Sequence, residues 1–359
     1  MDSFSCQTRI ITGAGSLSQL GQLGIRKLLL VTDPYFYENG TAQKVATLSG
    51  ASRWEIFHQV TPDPSVELAA AGTAVLRKFQ PDTVVALGGG STMDCAKAMV
   101  YFGNCPVTLV AIPTTSGSGS EVTDFAVLTH GAVKYPLVDP RLCPKWAILD
   151  SELLEKLPAG LVGDTGFDVL SHALEALVAT GATVFTDALA KDAFCRVFSL
   201  LPRSFAGDIT VRGEIHGGAT MAGIAFSGAG LGLCHAMAHA LGGVLHLPHG
   251  RLNAILLPAV IEYNRTAVGK YAALARWAGL GGSADTVAVR NLKNGLIHLR
   301  HQLQMPGTLT EAGADPRLVR QKTPEILAAT FADPCCKTNP VAVQERQVRG
   351  ILETVTGHG

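Results

Sequence analysis

The sequence predicts two domains: an α/β domain on a parallel, Rossmann-like sheet over residues 1–155, then an all-helical domain over residues 156–359. Three observations carry that reading. Up to Leu149, short apolar runs such as Leu28–Val31 and Val84–Leu87 alternate with helical patterns, the arrangement of a sheet covered on both faces. After Asp150 such runs stop, and apolar residues recur at helical spacing almost to Thr356. The length, 359 residues, suits two domains or one large one.

Taken in order, Arg9–Thr12 reads as a strand, followed by a Gly-Ala-Gly turn and a helix from Ser16. The pair Gly13 and Gly15 lacks the third glycine of a dinucleotide fingerprint. Leu28–Val31 is a strand that ends in Thr32-Asp33. An acid there can hydrogen-bond a ribose hydroxyl and repel a 2′-phosphate; equally, Asp33-Pro34 fits a helix start. Trp54–Phe57 is the next strand, Thr61–Pro64 a turn, and Ser65 the cap of a helix running to Lys78. The strand Asp82–Leu87 delivers Gly88, Gly89, Gly90 and Ser91 into a helix over Thr92–Phe102. Free N–H groups and the helix dipole make that turn an anion cradle. Val107–Ile112 is followed by Pro113–Ser120, a loop of hydroxyls and glycines without a basic residue. Two donor-rich loops after consecutive strands favour one shared site at the carboxyl edge of the sheet. Phe125–Thr129 and Trp146–Leu149 read as later strands, with Lys134 between them. The second half predicts helices over Gly160–Thr180, Phe185–Ser199, Val211–Gly228, Leu233–Val244, Ala254–Tyr263, Val268–Ala278, Ala284–Leu303, Pro316–Phe331 and Val341–Val355.

Composition excludes some classes of partner. Charged residues are only 16% of the chain, and Lys+Arg equals Asp+Glu at 29 each, which argues against a nucleic acid or an anionic membrane surface. No apolar run reaches membrane-spanning length, and the start, Ser3 to Arg9, does not read as a signal peptide. The eight cysteines form no CxxC pair or regular framework, so reduced cytoplasmic thiols are expected.

The chemistry concentrates in Leu231–Pro258, where His235, His239, His246 and His249 stand among small and apolar residues. His235 and His239 are four apart and share a helix face. Gly242 and Gly243 are expected to loosen that helix, and Pro248-His249-Gly250 to form a turn that fixes an imidazole. Packed core histidines are the bland alternative, but each buried ring needs a hydrogen-bond partner or a metal. Asp168 and His172 form a second pair at the same spacing. One carboxylate with imidazoles and no thiolate suits a divalent first-row cation: Fe(II), Zn(II), Co(II) or Mn(II).

Four segments together carry a resemblance: GGGSTMDCAK (Gly88–Lys97), IPTTSGSGSEVT (Ile112–Thr123), GFDVLSHALEA (Gly166–Ala176) and CHAMAHALGG with PHGRLNAILLP. In this order and over nearly the whole chain, they resemble the iron-containing (group III) alcohol dehydrogenases. The family's nucleotide-binding α/β domain and helical domain, an architecture shared with dehydroquinate synthase, agree with the division above. FSCQTRIITGAGSL, the TPDPS turn and the short link from Phe102 to Val107 look most like the propanol and ethanol dehydrogenases of bacterial microcompartments.

By that resemblance the metal ligands are Asp168, His172, His235 and His249, and His239 is the active-site histidine that does not bind metal. His246 has no counterpart and reads as loop or cleft lining. Asp33 falls at the adenosine-ribose acid, which favours NAD. Gly88, Gly89, Gly90 and Ser91 match the pyrophosphate turn with Asp94 in the same motif. Thr114, Thr115 and Ser118 match the second loop, Lys134 matches the lysine beyond it, and Phe125 stands where some members carry a polar residue. The implied reaction is reversible NAD(H)-linked interconversion of a short-chain primary alcohol and its aldehyde, with Fe(II) as the metal and Zn(II) admitted by the same ligands. The resemblance further implies a homodimer or larger homo-oligomer, working with microcompartment enzymes or shell. A sugar-phosphate lyase or cyclase resembling dehydroquinate synthase is the rival; it needs a Lys, Arg and Asn cluster, for which the histidine segments offer mainly Arg251 and Asn253. A non-catalytic NAD- or metal-binding member is the other.

Overall fold

Strands buried on both faces have no polar side to show, and the apolar runs of the first half obey that rule. The structure, a computed structural model, describes residues 4–131 and 133–357. Ser3, at the head of the segment read for a signal peptide, and the outer ends of both predicted domains lie outside the described residues. Ser5–Leu157 forms one compact unit; Phe4 and the residues from Pro158 onward form another.

The first unit contains β1 (Arg9–Thr12), β2 (Lys27–Thr32), α1 (Pro34–Glu38), α2 (Thr41–Leu48), β3 (Arg53–Phe57), α3 (Val66–Phe79), β4 (Thr83–Gly88), α4 (Gly90–Gly103), β5 (Thr108–Pro113), β6 (Phe125–His130), β7 (Val133–Val138) and β8 (Trp146–Leu149). Six strands make one parallel sheet in the order β1-β8-β5-β4-β2-β3, and β6 pairs antiparallel with β7. Along β2, Leu28 and Leu30 enter one core cluster with Leu20, Val45, Val85 and Leu87. Leu29 and Val31 enter the opposite one with Leu76, Val84, Ala86 and Met99. That two-residue alternation buries both faces of the sheet. The order reverses between β2 and β4, and ligands of open α/β sheets bind at the carboxyl ends beside such a reversal.

Three local expectations change. A 3₁₀ segment, Ser16–Gln22, replaces the helix expected from Ser16. The amides of Gly15 and Leu17 donate to the Asp150 carboxylate at 3.1 and 2.9 Å, so the protein itself supplies the anion at this turn. Lys134 lies within a strand, β7, where exposed Tyr135 and Val138 and the internal Pro136 leave no apolar run to read. Helix α4 starts at Gly90, so Gly90 and Ser91 belong to its first turn.

The second unit contains α5 (Ala159–Val178), α6 (Val184–Phe205), α7 (Arg212–Ala229), α8 (Leu233–Leu245), α9 (His249–Tyr263), α10 (Val268–Trp277), α11 (Asp285–Gln302), α12 (Pro316–Ala332), α13 (Cys335–Thr338) and α14 (Glu345–Thr356). No strand occurs among its described residues. Helix α5 is buried almost all round beyond its first turn, which makes it the central helix, and it packs against α6, α7 and α9. Helix α8 runs straight through Gly242 and Gly243, which therefore do not loosen it. Pro248-His249-Gly250 is not a free turn: Pro248 is the N-cap of α9 and His249 its first residue. Among the described residues no single helix is long and apolar enough to cross a membrane; Ile209–Ala229 with Leu233–Leu245 has the composition but bends by 104°. All eight cysteines are free thiols.

Candidate metal centre and anion-binding loops

Helical spacing does the local work at the candidate centre. Asp168 and His172 project from one face of α5, His235 and His239 from one face of α8, and His249 stands at the start of α9. Asp168 Oδ1 lies 3.5 Å from His249 Nε2, 3.7 Å from His235 Nε2 and 3.9 Å from His172 Nε2. Two ligand atoms each about 2.1 Å from a shared cation at a tetrahedral angle stand about 3.4 Å apart, so this donor set fits one divalent ion. Asp168, His235 and His249 are the tightest group, with one atom of each within 4.8 Å of the others. His172 stacks between Phe226 and His235, at 4.5 and 4.4 Å between centroids.

Burial alone would push the Asp168 carboxyl up, but the imidazoles of His172, His249 and His235 hold it far below the usual carboxylate range. Burial pushes His249 well below its ordinary value against the pull of Asp168. His235 is the opposite case. Burial would lower it, yet Asp168 and Glu175 raise it to about 9. Loading a cation would displace that proton, since imidazole binds metal in its neutral form.

Three residues that sequence reasoning did not assign to this centre hold these side chains in place. Glu175, fully buried on α5, accepts from His235 Nδ1 at 2.7 Å and thereby turns Nε2 toward Asp168. Its carboxylate also accepts the N–H groups of Gly232, Cys234 and His235 at 3.0, 2.7 and 3.3 Å, capping α8 with the charge that a helix N-terminus favours. Asn253, one turn after His249, directs Nδ2 at Asp168 Oδ1 (2.9 Å), His249 Nε2 (3.1 Å) and His235 Nε2 (3.3 Å). Asp333, just after α12, accepts from His239 Nδ1 at 2.8 Å. Burial opposes ionisation of Asp333, but His239 holds its carboxyl down at about 2. His239 also stacks on His249, 5.0 Å between centroids. His246 stands apart, exposed as the C-cap of α8 with a φ of 53°.

The remaining predicted residues belong to the first unit, where three of the parallel strands bring them to one edge. Asp33, Gly88–Ser91 and Thr114–Ser118 follow β2, β4 and β5, which are adjacent in the sheet. The two glycine-bearing loops touch. A Cβ on Gly89 would stand 3.3 Å from Thr115 Oγ1, and one on Gly90 3.1 Å from the Ser118 side chain. Thr114 N–H donates to Gly88 O at 3.0 Å. Asp33 caps α1, accepting from Phe36 N at 3.1 Å, so its second carboxylate oxygen takes no part in that cap. Lys134 pairs with Asp63 of the Thr61–Pro64 turn at 2.7 Å, and Asp63 N–H donates to Ser91 Oγ at 3.3 Å.

Asp94 faces the base of the second loop, accepting from Ser120 Oγ at 3.0 Å and Val127 N at 3.2 Å. Beside it lies Lys97, another residue missed from sequence, fully buried. Its Nζ donates to Ser120 Oγ, Thr123 O, Thr123 Oγ1 and Phe125 O at 2.7–3.0 Å. Phe125 thus serves here through its carbonyl, whatever its side chain. Burial pushes Asp94 up to about 6 and Lys97 down to about 8, each restrained by the other's charge.

Comparison with known proteins places the chain in a family. Residues 7–151 match the profile described as iron-containing alcohol dehydrogenase, and residues 162–356 that of the Fe-containing alcohol dehydrogenase family, C-terminal. The chain is 40% identical over 367 residues to the 1-propanol dehydrogenase PduQ of Citrobacter freundii, covering 98% of this chain and 99% of that one. It is 37% identical over 380 residues to an NADPH-dependent butanol dehydrogenase of Clostridium saccharobutylicum, covering 99% and 98%. The iron-containing alcohol dehydrogenase structure from Thermococcus thioreducens superposes with a TM-score of 0.91 at 34% identity, over 99% of both chains. The chain belongs to the iron-containing alcohol dehydrogenase family and is a metal-dependent, nicotinamide-linked alcohol oxidoreductase.

Proposed function

We propose that the chain interconverts short-chain primary alcohols and aldehydes with NAD(H), working mainly as an aldehyde reductase that regenerates NAD. The convergence of Asp168, His172, His235 and His249 on one point is the observation that carries this reading. These four residues would hold Fe(II), with Zn(II) an acceptable substitute for the same donors. A divalent cation bound there supplies Lewis acidity toward the substrate oxygen. Glu175 sets the tautomer of His235, and Asn253 tethers Asp168 to the first turns of α9. Asp333 accepts the Nδ1 proton of His239 and leaves Nε2 as the nitrogen that exchanges a proton with substrate and solvent. NAD rather than NADP is supported by Asp33, whose charge at the end of β2 repels a 2′-phosphate.

His239→Ala should retain its metal while kcat falls by about 10²–10⁴-fold, the usual worth of a positioned proton carrier. His249→Ala should lose the metal. Metal analysis of anaerobically purified variants beside steady-state rates decides this, and a metal-free His239→Ala protein would reverse the two roles. Oxidation of NADH by propionaldehyde, with and without added Fe(II), tests the reaction itself.

For the loops, we propose that Gly88–Ser91 cradle the pyrophosphate and Thr114, Thr115 and Ser118 line the same dinucleotide. Asp94 would act through Ser120, and Lys134 through Asp63. Lys97→Met should then leave several buried acceptors without their donor, costing about 2–4 kcal/mol. NADH affinity should fall while metal content stays. Urea unfolding and a fluorescence titration with NADH read the two effects; unchanged NADH binding would separate the second loop from the cofactor.

A lyase or cyclase reading finds no support in the side chains it needs. Arg251 is held by Asp164 through two bonds of 2.9 and 3.1 Å, and Asn253 by Asp168. On the likeness to propanol and ethanol dehydrogenases, the proposal extends to a homo-oligomer working among microcompartment enzymes in the cytoplasm. Co-sedimentation with purified microcompartments tests that extension.

A further inference from the structure

His239, Asp333 and Cys335 form a second group of potential ligands, separate from the four that fit the first cation. One donor atom from each lies within 4.8 Å of the other two. Asp333 bridges the group: Oδ2 accepts from His239 Nδ1 at 2.8 Å and Oδ1 from the Cys335 amide at 2.8 Å. All three residues are half-buried rather than enclosed. The next cysteine is turned away, with Cys336 Sγ donating to Thr330 O at 3.0 Å.

The two groups differ in chemical character. The first offers one carboxylate oxygen and three imidazole nitrogens. The second replaces two imidazoles by a thiol, and a sulfur, nitrogen and oxygen set suits Zn(II) or Cd(II) over Fe(II). Donors sharing a cation at about 2.1 Å stand about 3.4 Å apart, so His239 Nδ1 and Asp333 would need to separate by only about half an ångström.

We propose that His239, Asp333 and Cys335 form a second, thiolate-bearing cation site that takes zinc or cadmium and silences the enzyme when filled. Binding releases one proton to solvent, from Cys335 Sγ, and shifts the His239 proton from Nδ1 to Nε2, so the ring stays a neutral imidazole and Nε2 no longer has a lone pair to accept a proton. No oxidation state changes. The silencing rests on the reading of His239 as proton carrier; the binding does not.

The test is a titration of the anaerobic iron-loaded enzyme with Cd(II), read by metal analysis, by the ultraviolet charge-transfer band of a cadmium–thiolate bond, and by aldehyde reduction. The expected result is cadmium bound with iron retained, a thiolate band, and loss of rate that tracks the band. Cys335→Ser and Cys335→Ala should lose the band, and cadmium inhibition relative to each variant's own rate should go with it; Cys336→Ser should keep both. Displacement of iron by cadmium in the unmodified enzyme, which needs no variant, overturns the site, and so does a band that survives in Cys335→Ser. A band and retained iron with undiminished rate would uphold the site but overturn its silencing effect and the role of His239.

Discussion

Glu175→Ala should strip the enzyme of its metal and lower its stability by about 3–5 kcal/mol, the range for removing one partner of a buried charged network. Two consequences of one carboxylate add here. The N–H groups of Gly232, Cys234 and His235 end inside the protein on Glu175 oxygens, and each buried donor left without an acceptor costs about 1–3 kcal/mol. Leu233 N–H of that turn donates instead to Asn339 Oδ1 at 3.1 Å. The start of α8 should therefore loosen, and His235 with it. Separately, His235 loses the acceptor at Nδ1 that sets its tautomer, a loss that alone lowers metal affinity about 10–100-fold. Glu175→Gln keeps the shape and one acceptor oxygen, so it should recover much of the stability and less of the metal affinity. Urea unfolding of the metal-free protein and iron content after dialysis measure the two parts independently. A Glu175→Ala protein that keeps iron as tightly as the parent would mean that α8 needs no cap to aim His235.

The contrast between what sequence shows and what it hides is clear around that residue. Asp168 with His172 and His235 with His239 are legible because each pair shares a helix and a four-residue interval. Glycine turns after β4 and the hydroxyl loop after β5 are legible because apolar strands bracket them. Glu175 sits in the same quoted segment as Asp168 and His172, but its partner lies 60 residues on, and spacing says nothing of a contact made across helices. Asp333 is 94 residues from His239, in a Pro- and Cys-bearing turn without helical periodicity. Asn253 carried a signal, four residues after His249, but only if α9 is known to begin at His249. Pro248-His249-Gly250 resembles a turn in sequence. It is a helix start because Pro248 accepts the N-cap position and Gly250 lets the first turn lie against α5. Lys97 was hidden for a different reason: a lysine on a helix is expected to reach solvent, and this one is buried under a loop whose acceptors come from three residues.

Gly250→Ala should fold and yet lose most of its metal-dependent rate. The added Cβ would stand 1.8 Å from Asp164 O and 2.6 Å from Asp164 C, with Asp168 Cβ at 3.3 Å. The two nearest are backbone atoms of the central helix, which cannot turn aside as a flexible side chain can. The first turn of α9 must yield, by more than 1 Å if about 3.2 Å is taken as a tolerable carbon–oxygen contact. Residues on either side carry that shift into the site, because His249 precedes Gly250 and Arg251, bound to Asp164, follows it. Misplacement of a working group by about 1 Å costs on the order of 10²-fold in rate, while overpacking of this kind typically costs about 1–3 kcal/mol in stability. Gly242→Ala is the matched control on α8: its new methyl would meet only Leu252 Cδ1, at 3.6 Å, and helical Ala is favoured over Gly by about 0.5–1 kcal/mol. Gly242→Ala should therefore unfold no earlier than the parent and keep its iron, whereas Gly250→Ala should show reduced iron content and kcat/KM lowered about 100-fold. Equal behaviour of the two variants would mean that α5 and α9 can separate without moving His249, and that Asp168 and His249 are not held together by the close approach at Gly250.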